Sequence, residues 1–363
     1  MKTLEKTGGN KFLAFLKRAV RNQIFIPLAA LLILVLFNLI ADPSFFAIKY
    51  APNSAGDMVI SGNIITILDN ASELAILAIG MTLVTSASGG QDISVGATIA
   101  VAGSVVLRVL CGGEVSPAAL HAPIIVAFLA CVVVSMLLGA FNGVLVAYFK
   151  IQPMVATLIL FSAARAIGLL LCNNMIVYVR EDSFKIFGGY LGFIPTPIVV
   201  AAVCIIITSL ILKKTALGLY VQSVGINKKA SRIAGIKSER IIFLCYIVCG
   251  LCAGIAGIVA SSRISSADSN NIGLNFELDA ILAVALGGNS LGGGKFRLTG
   301  SIIGAYTIQA ITTTLYALGV STEQAPVYKA VIVIIIVAIQ APPFKDYMKK
   351  MSAKRQLAKG GVA

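Results

Sequence analysis

Few residues in this 363-residue sequence have the type and spacing that covalent chemistry needs. Gly292-Gly293-Gly294-Lys295 has the look of a phosphate cradle. A P-loop, however, needs Gly at 289 and Ser or Thr at 296, where Asn289 and Phe296 stand. His121 is the single histidine, so a His-centred triad and a multi-His metal site are both excluded. Glu277 and Asp279 are two residues apart and point in different directions on a helix, which suits the positive end of a helix dipole better than acid–base work. Cys245, Cys249 and Cys252 share a helix face, as a thiol cluster or as small apolar packing residues. The seven cysteines form no disulfide framework: six lie inside apolar segments and Cys111 at the edge of one. No catalytic residue and no metal site is expected.

The elements that carry these residues are apolar: 58% of the chain is hydrophobic and 12% charged. Windows of about 20 residues predict ten spans, near Gln23 to Ile40, Ser72 to Ala87, Val95 to Leu110, Ala122 to Phe149, Met154 to Cys172, Pro197 to Leu212, Ile241 to Ser261, Leu278 to Gly288, Leu298 to Val320 and Pro326 to Ala341. The expected fold is an all-α, polytopic bundle of about ten transmembrane helices occupying residues 23–342, between basic cytoplasmic tails 1–22 and 343–363. The first apolar run exceeds the roughly 7 to 15 residues of a signal-peptide core, so it reads as an uncleaved helix.

Charge gives the orientation. Lys and Arg concentrate in both tails, in the central segment 213–240 and at Lys150, Lys295 and Arg297. The proposed outer loops hold only Lys49, Arg180, Lys185 and Arg263. An even number of spans places both tails and the central segment on one side, and the positive-inside bias makes that side cytoplasmic. The net charge of +14 is therefore a topology signal, and no nucleic-acid partner is needed to explain it.

Segment 213–240 contains Lys213, Lys214, Lys228, Lys229, Arg232, Lys237 and Arg240 against one acid, Glu239. Within it, Gly225 to Ile236 predicts a short helix with Asn227 as N-cap and Gly235 as stop. A helix held on the cytoplasmic face suits docking. Two glycine-rich stretches interrupt the bundle: Gly89, Gly90, Asp92, Ser94 and Gly96 after the second span, and Gly287, Gly288, Asn289, Ser290 and Gly293 after the eighth, which is too short to cross unaided. They read as gate or hinge positions in two corresponding halves, or as plain tight turns.

Gly139/Gly143, Gly250/Gly254 and Gly300/Gly304 have the spacing of close helix crossings. Arg165 lies mid-span, where it either lines a pathway or holds a neighbouring helix. Arg108 and Lys329, near span ends, can snorkel. Thr82, Ser86, Asn142 and Gln309 could touch a hydroxylated solute or bond between helices.

Three stretches resemble the permease subunits of ATP-binding-cassette importers for simple sugars, the family of ribose and galactose permeases. They are Ala78 to Gly96 with its Gly-Gly-x-Asp-x-Ser-Val-Gly pattern; Gly225-x-Asn227 through Ala230-Ser231-Arg232-Ile233-Ala234-Gly235-Ile236; and Glu277 to Ile281 with Leu286 through Gly294. The likeness runs in order from about Ile64 to Ala341. Gln91, Ser231 and the pair Lys228-Lys229 depart from the usual pattern, the last adding positive charge.

The resemblance implies a multi-pass subunit of a bacterial cytoplasmic (inner) membrane. It would pair with a second copy or a related permease, two ATPase subunits inside and a secreted sugar-binding protein outside. ATP and Mg would then sit on the ATPase, with no cofactor on this chain, and residues 225–236 would be the coupling helix. Nucleosides, a sugar-derived signal or branched-chain amino acids are alternative cargoes. An ion-coupled secondary transporter is the competing class.

Overall fold

The computed structural model describes residues 25–52, 58–117 and 119–340; the predicted tails 1–22 and 343–363 lie outside them. Each of the ten predicted apolar segments coincides with a helix: α1 (Phe25–Ala41), α2 (Asn63–Ser88), α3 (Val95–Cys111), α4 (Ile124–Ala147), α5 (Pro153–Leu171), α6 (Thr196–Lys214), α9 (Ser238–Ile264), α10 (Phe276–Leu286), α11 (Leu298–Ala317) and α12 (Ala325–Gln340). The central segment contributes two more, α7 (Leu217–Ile226) and α8 (Lys228–Ile233). Five helices, α2, α4, α5, α6 and α9, are long and apolar enough to cross a membrane by length and composition, and shorter apolar helices accompany them. The chain is a mostly helical, polytopic membrane protein.

Packing explains the composition. Helix α9 runs through the middle and packs on α4, α2 and α3, while α2 also contacts α11 and α6. Both central helices face protein on most sides and carry small or polar residues. Helix α2 is much less apolar than α4, whose outer face is exposed. Without a hydrophobic driving force between helices in lipid, close approach at small residues holds such pairs together. Gly139 on α4 meets the backbone of Gly250 on α9, Gly254 faces Ser135, and Gly300 meets Gly287. The predicted glycine spacings are thus helix crossings.

The structure corrects the sequence reading in four places. Helix α2 starts at Asn63 rather than Ser72; Asp69 depresses hydropathy there, but it is paired with Arg263. The fold is not wholly α-helical, since three two-stranded antiparallel ribbons join loop segments: Lys49–Pro52 with Met58–Ser61, Val177–Tyr178 with Ser266–Ala267, and Tyr190–Leu191 with Ile194–Pro195. Strands this short leave no periodic signal. Lys329 does not snorkel: its Nζ lies 2.7 Å from Asp279, and both side chains are about 15% exposed or less. Asp279 also lies in the first turn of α10, as does Glu277, where an acid suits the helix dipole. Finally, Gly225 ends α7 rather than opening the docking helix.

Candidate functional site

The three motifs picked out from sequence converge at one end of the bundle. Helix α2 closes at Ser88, and Gly89 takes a left-handed conformation (φ +75°) with its N–H donating to the Thr85 carbonyl. The loop that follows is pinned laterally. Asp92 is buried and accepts the Ser94 backbone N–H (2.9 Å) and hydroxyl (2.6 Å). Asn142 of α4 donates to the Ser94 hydroxyl at 2.8 Å and, more weakly, to Asp92 at 3.5 Å. Burial raises the Asp92 pKa from its ordinary value, while the bonds from Ser94 and Asn142 hold it down. Thr157 of α5 accepts the Ile93 N–H (3.1 Å), and Pro153 packs on Gly90. Gly96, the second residue of α3, packs against the buried Glu277 carboxylate.

The second glycine stretch is tied by Asn289. Its carbonyl oxygen accepts the Arg297 N–H at 2.7 Å, and its amide donates to the Ser301 hydroxyl at 2.7 Å. Thr82 of α2 donates to that same hydroxyl at 2.6 Å. Ser301 thereby joins α2, α11 and the α10–α11 loop. Ser290 accepts the Gly292 N–H (3.2 Å) and closes the turn locally. Helix α10 explains why this loop enters the bundle: its eleven residues make roughly 17 Å of helix, short of a hydrocarbon core of about 30 Å.

The two stretches meet each other and the central segment. Gly294 donates its N–H to the Ser86 carbonyl (3.0 Å), and Gln91 donates to the Leu291 carbonyl (3.1 Å). Gly225, at the end of α7, lies against the same Ser86 carbonyl and the Gly294 backbone, so that any side chain at 225 would collide with both. Gly293 packs on the Gly89 Cα. Ser86, Gly225 and Gly294 form a backbone-to-backbone junction with no intervening side chains.

Helix α8 hangs directly on this junction. Asn227 is extended (φ −156°) and its side chain accepts the Ala230 N–H at 3.0 Å, as an N-cap does. At the other end Gly235 adopts φ +83°, with the Ile236 N–H on the Ser231 carbonyl. Ser231 is buried, Ile236 packs on the core, and Ser238 donates to the Lys228 carbonyl (3.3 Å). Arg232 pairs with Glu239. The outward face is left with Lys229, Ala230, Ile233 and Ala234 exposed, Ile233 at 89%. Ile233 is thus a nearly naked apolar side chain at the end of a capped helix, at the edge of a pocket that Val146, Ile151 and Ile242 also line.

Among the proposed pathway residues, Thr82, Ser86 and Asn142 are buried and belong to this network. Arg165 does not. Its guanidinium donates to the carbonyls of Ser269 and Asn270, both at 3.0 Å, and so clamps the loop leading into α10. Gln309 sits half-buried on α11. Sequence reasoning missed Ser301, Thr157 and Pro153, which have no local signature. It also missed the opposite end of the bundle, where Arg263 at the end of α9 pairs with Asp69 (3.0 Å) and Glu73 (3.1 Å) and donates to Asn70. Cys245, Cys249 and Cys252 are buried free thiols, packed in the core; no group of three metal-binding side chains occurs among the described residues.

Residues 63–340 match the family described as "Branched-chain amino acid transport system / permease component". The chain is 40% identical to the galactofuranose transporter permease protein YtfT of Escherichia coli, over 90% of this chain and 92% of that protein. It is 34% identical to the fructose import permease protein FruF of Bifidobacterium longum (97% and 96%) and 35% identical to the ribose import permease protein RbsC of Escherichia coli (86% and 92%). By the family match over residues 63–340 and these relatives over most of its length, the chain belongs to the permease components of ATP-binding-cassette importers, in the family that includes the sugar import permeases.

Proposed function

We propose that this chain is the membrane-spanning subunit of an importer for a monosaccharide or related sugar, handed over by an extracytoplasmic binding protein and driven by ATP and Mg on separate ATPase subunits. In this reading all ten apolar helices lie in a bacterial cytoplasmic membrane, both tails and α8 face the cytoplasm, and a second copy or a related permease completes the pore. The observation that carries it is the Ser86–Gly225–Gly294 junction. Backbone contacts leave little slack, so a push on α8 displaces the end of α2 and the α10–α11 loop together. Closure of an ATPase pair around Ile233 would thus reach both glycine loops, which act as gate or hinge.

Similarity to galactofuranose, fructose and ribose permeases supports a sugar as cargo. The family description favours a second reading, in which a branched-chain amino acid is carried. Ligand binding to the partner receptor separates the two. Reconstitution in liposomes with ATPase and binding protein tests the mechanism: uptake requires ATP and stops on Ile233→Asp with insertion unchanged. Full-rate uptake by the purified permease alone, or labelling that puts Asn227 outside the cell, would overturn it.

A further inference from the structure

The hairpin formed by α10, the loop after it and α11 is built as one stiff piece. Where the two helices cross, Gly287 lies against the Gly300 backbone and Gly304 against the Ala283 carbonyl, too close to admit a side chain. Asn289 staples the neck of the loop, accepting the Arg297 N–H and donating to the Ser301 hydroxyl. At the tip, Gly294 lies against the Gly225 backbone and the Ile226 side chain of α7. Displacement of α8 therefore arrives at the tip.

This hairpin grips α2 at two points. The Gly294 N–H meets the Ser86 carbonyl at 3.0 Å, and the Ser301 hydroxyl meets that of Thr82 at 2.6 Å. Residues four apart share one face of a helix, about 5–6 Å from each other. A single attachment is a pivot: the hairpin swings about Ser86 and α2 stays where it was. Two attachments a turn apart resist that swing, and α2 turns with the hairpin. Apolar side chains pack without a fixed direction, whereas a hydrogen bond has one. Thr82 and Ser301 are fully buried, so no water competes for theirs.

We propose that Ser301 is a positioning residue of transport: its bond to Thr82 converts a push at Gly294 into movement of α2, and without that bond the stroke slips. The inference rests on the ATP-driven reading given above and names the link at which the stroke is passed on.

Ser301→Ala isolates the link. Thr82 keeps the Ala78 carbonyl at 2.5 Å and Asn289 the Arg297 carbonyl at 3.2 Å, so loss of the hydroxyl leaves neither partner orphaned. The test uses the full chain in complex with its ATPase in nanodiscs, with spin-label distances read before and after addition of a non-hydrolysable ATP analogue. Labels on Thr66→Cys and Ile125→Cys report α2 against α4; labels on Leu291→Cys and Phe149→Cys report the hairpin tip against α4. In the otherwise unaltered chain both distances shift. In Ser301→Ala the tip still shifts, while the shifted population of the α2 pair falls about five-fold, the ratio that one ordinary hydrogen bond commands. Thr82→Val behaves like Ser301→Ala, and Thr82→Ser, which keeps the hydroxyl, restores the shift. An α2 pair that moves normally in Ser301→Ala overturns this inference alone. So does a loss matched by a lowered melting temperature, which would make Ser301 a packing residue. No shift of either pair in the unaltered chain overturns the ATP-driven reading and this inference with it.

Discussion

The two ends of helix α2 meet the rest of the protein in opposite ways. At Ser86 the contacts are backbone on backbone: a Cβ at Gly225 would collide with the Ser86 carbonyl, and Gly294 reaches that carbonyl from a left-handed backbone (φ +97°). Towards its Asn63 end, long charged side chains bridge the gap: Arg263 reaches Asp69 and Glu73. Contacts without side chains are stiff and transmit displacement. Ion pairs on flexible stems can break and re-form as a cavity opens, but they are costly to orphan. The difference suits an energy-receiving end and a solute-receiving end of one machine.

Substitutions can break that comparison. The largest effect belongs to Gly225→Val, which places methyl groups where the Ser86 carbonyl lies. It abolishes uptake, and the overpacking costs about 1–3 kcal/mol or more, read from uptake and thermal melting; retained uptake would show that the junction is not needed for transmission. Next comes Arg263→Ala, which leaves Glu73 buried beside Asp69. Melting in detergent should reveal a loss of about 3–5 kcal/mol, partly recovered by adding Glu73→Gln. If Arg263→Ala left the melting curve unmoved, the ion-paired end would be ornamental.

Asn142→Leu removes the donor to Ser94 and loosens the first glycine loop by about 1–3 kcal/mol; hydrogen exchange across residues 89–96 should rise while that at Arg263 stays unchanged. The smallest effect is Asn227→Ala, which removes an N-cap worth about 1 kcal/mol. It frays α8, lowering ATP-coupled uptake several-fold with little change in global melting. A large drop in melting temperature would mean that α8 is part of the core and not an appended handle.

Much was legible in the chain itself because the bilayer imposes a simple code. Long apolar runs must be helices, since no water is present to satisfy the backbone, and all ten predicted segments coincide with helices. Caps are equally local: Asn227 and Gly235 act within a few bonds of their own position, so their types sufficed. The ion pair at Asp69 hid the first turns of α2 from the hydropathy reading, because a charge neutralised by a distant partner looks the same in sequence as one in water.

The sequence by itself determined the apolar helices, the basic central segment, the capped helix α8 and the family. Only the tertiary structure decided that Ser86, Gly225 and Gly294 touch, that Ser301 joins Thr82 to Asn289, and that Arg165 clamps the loop before α10. The reason is range. Helix formation and capping are set by neighbours a turn away, whereas the junction depends on where α2, α7 and the α10–α11 loop come to rest. Glycine records only that something passes close, without naming what.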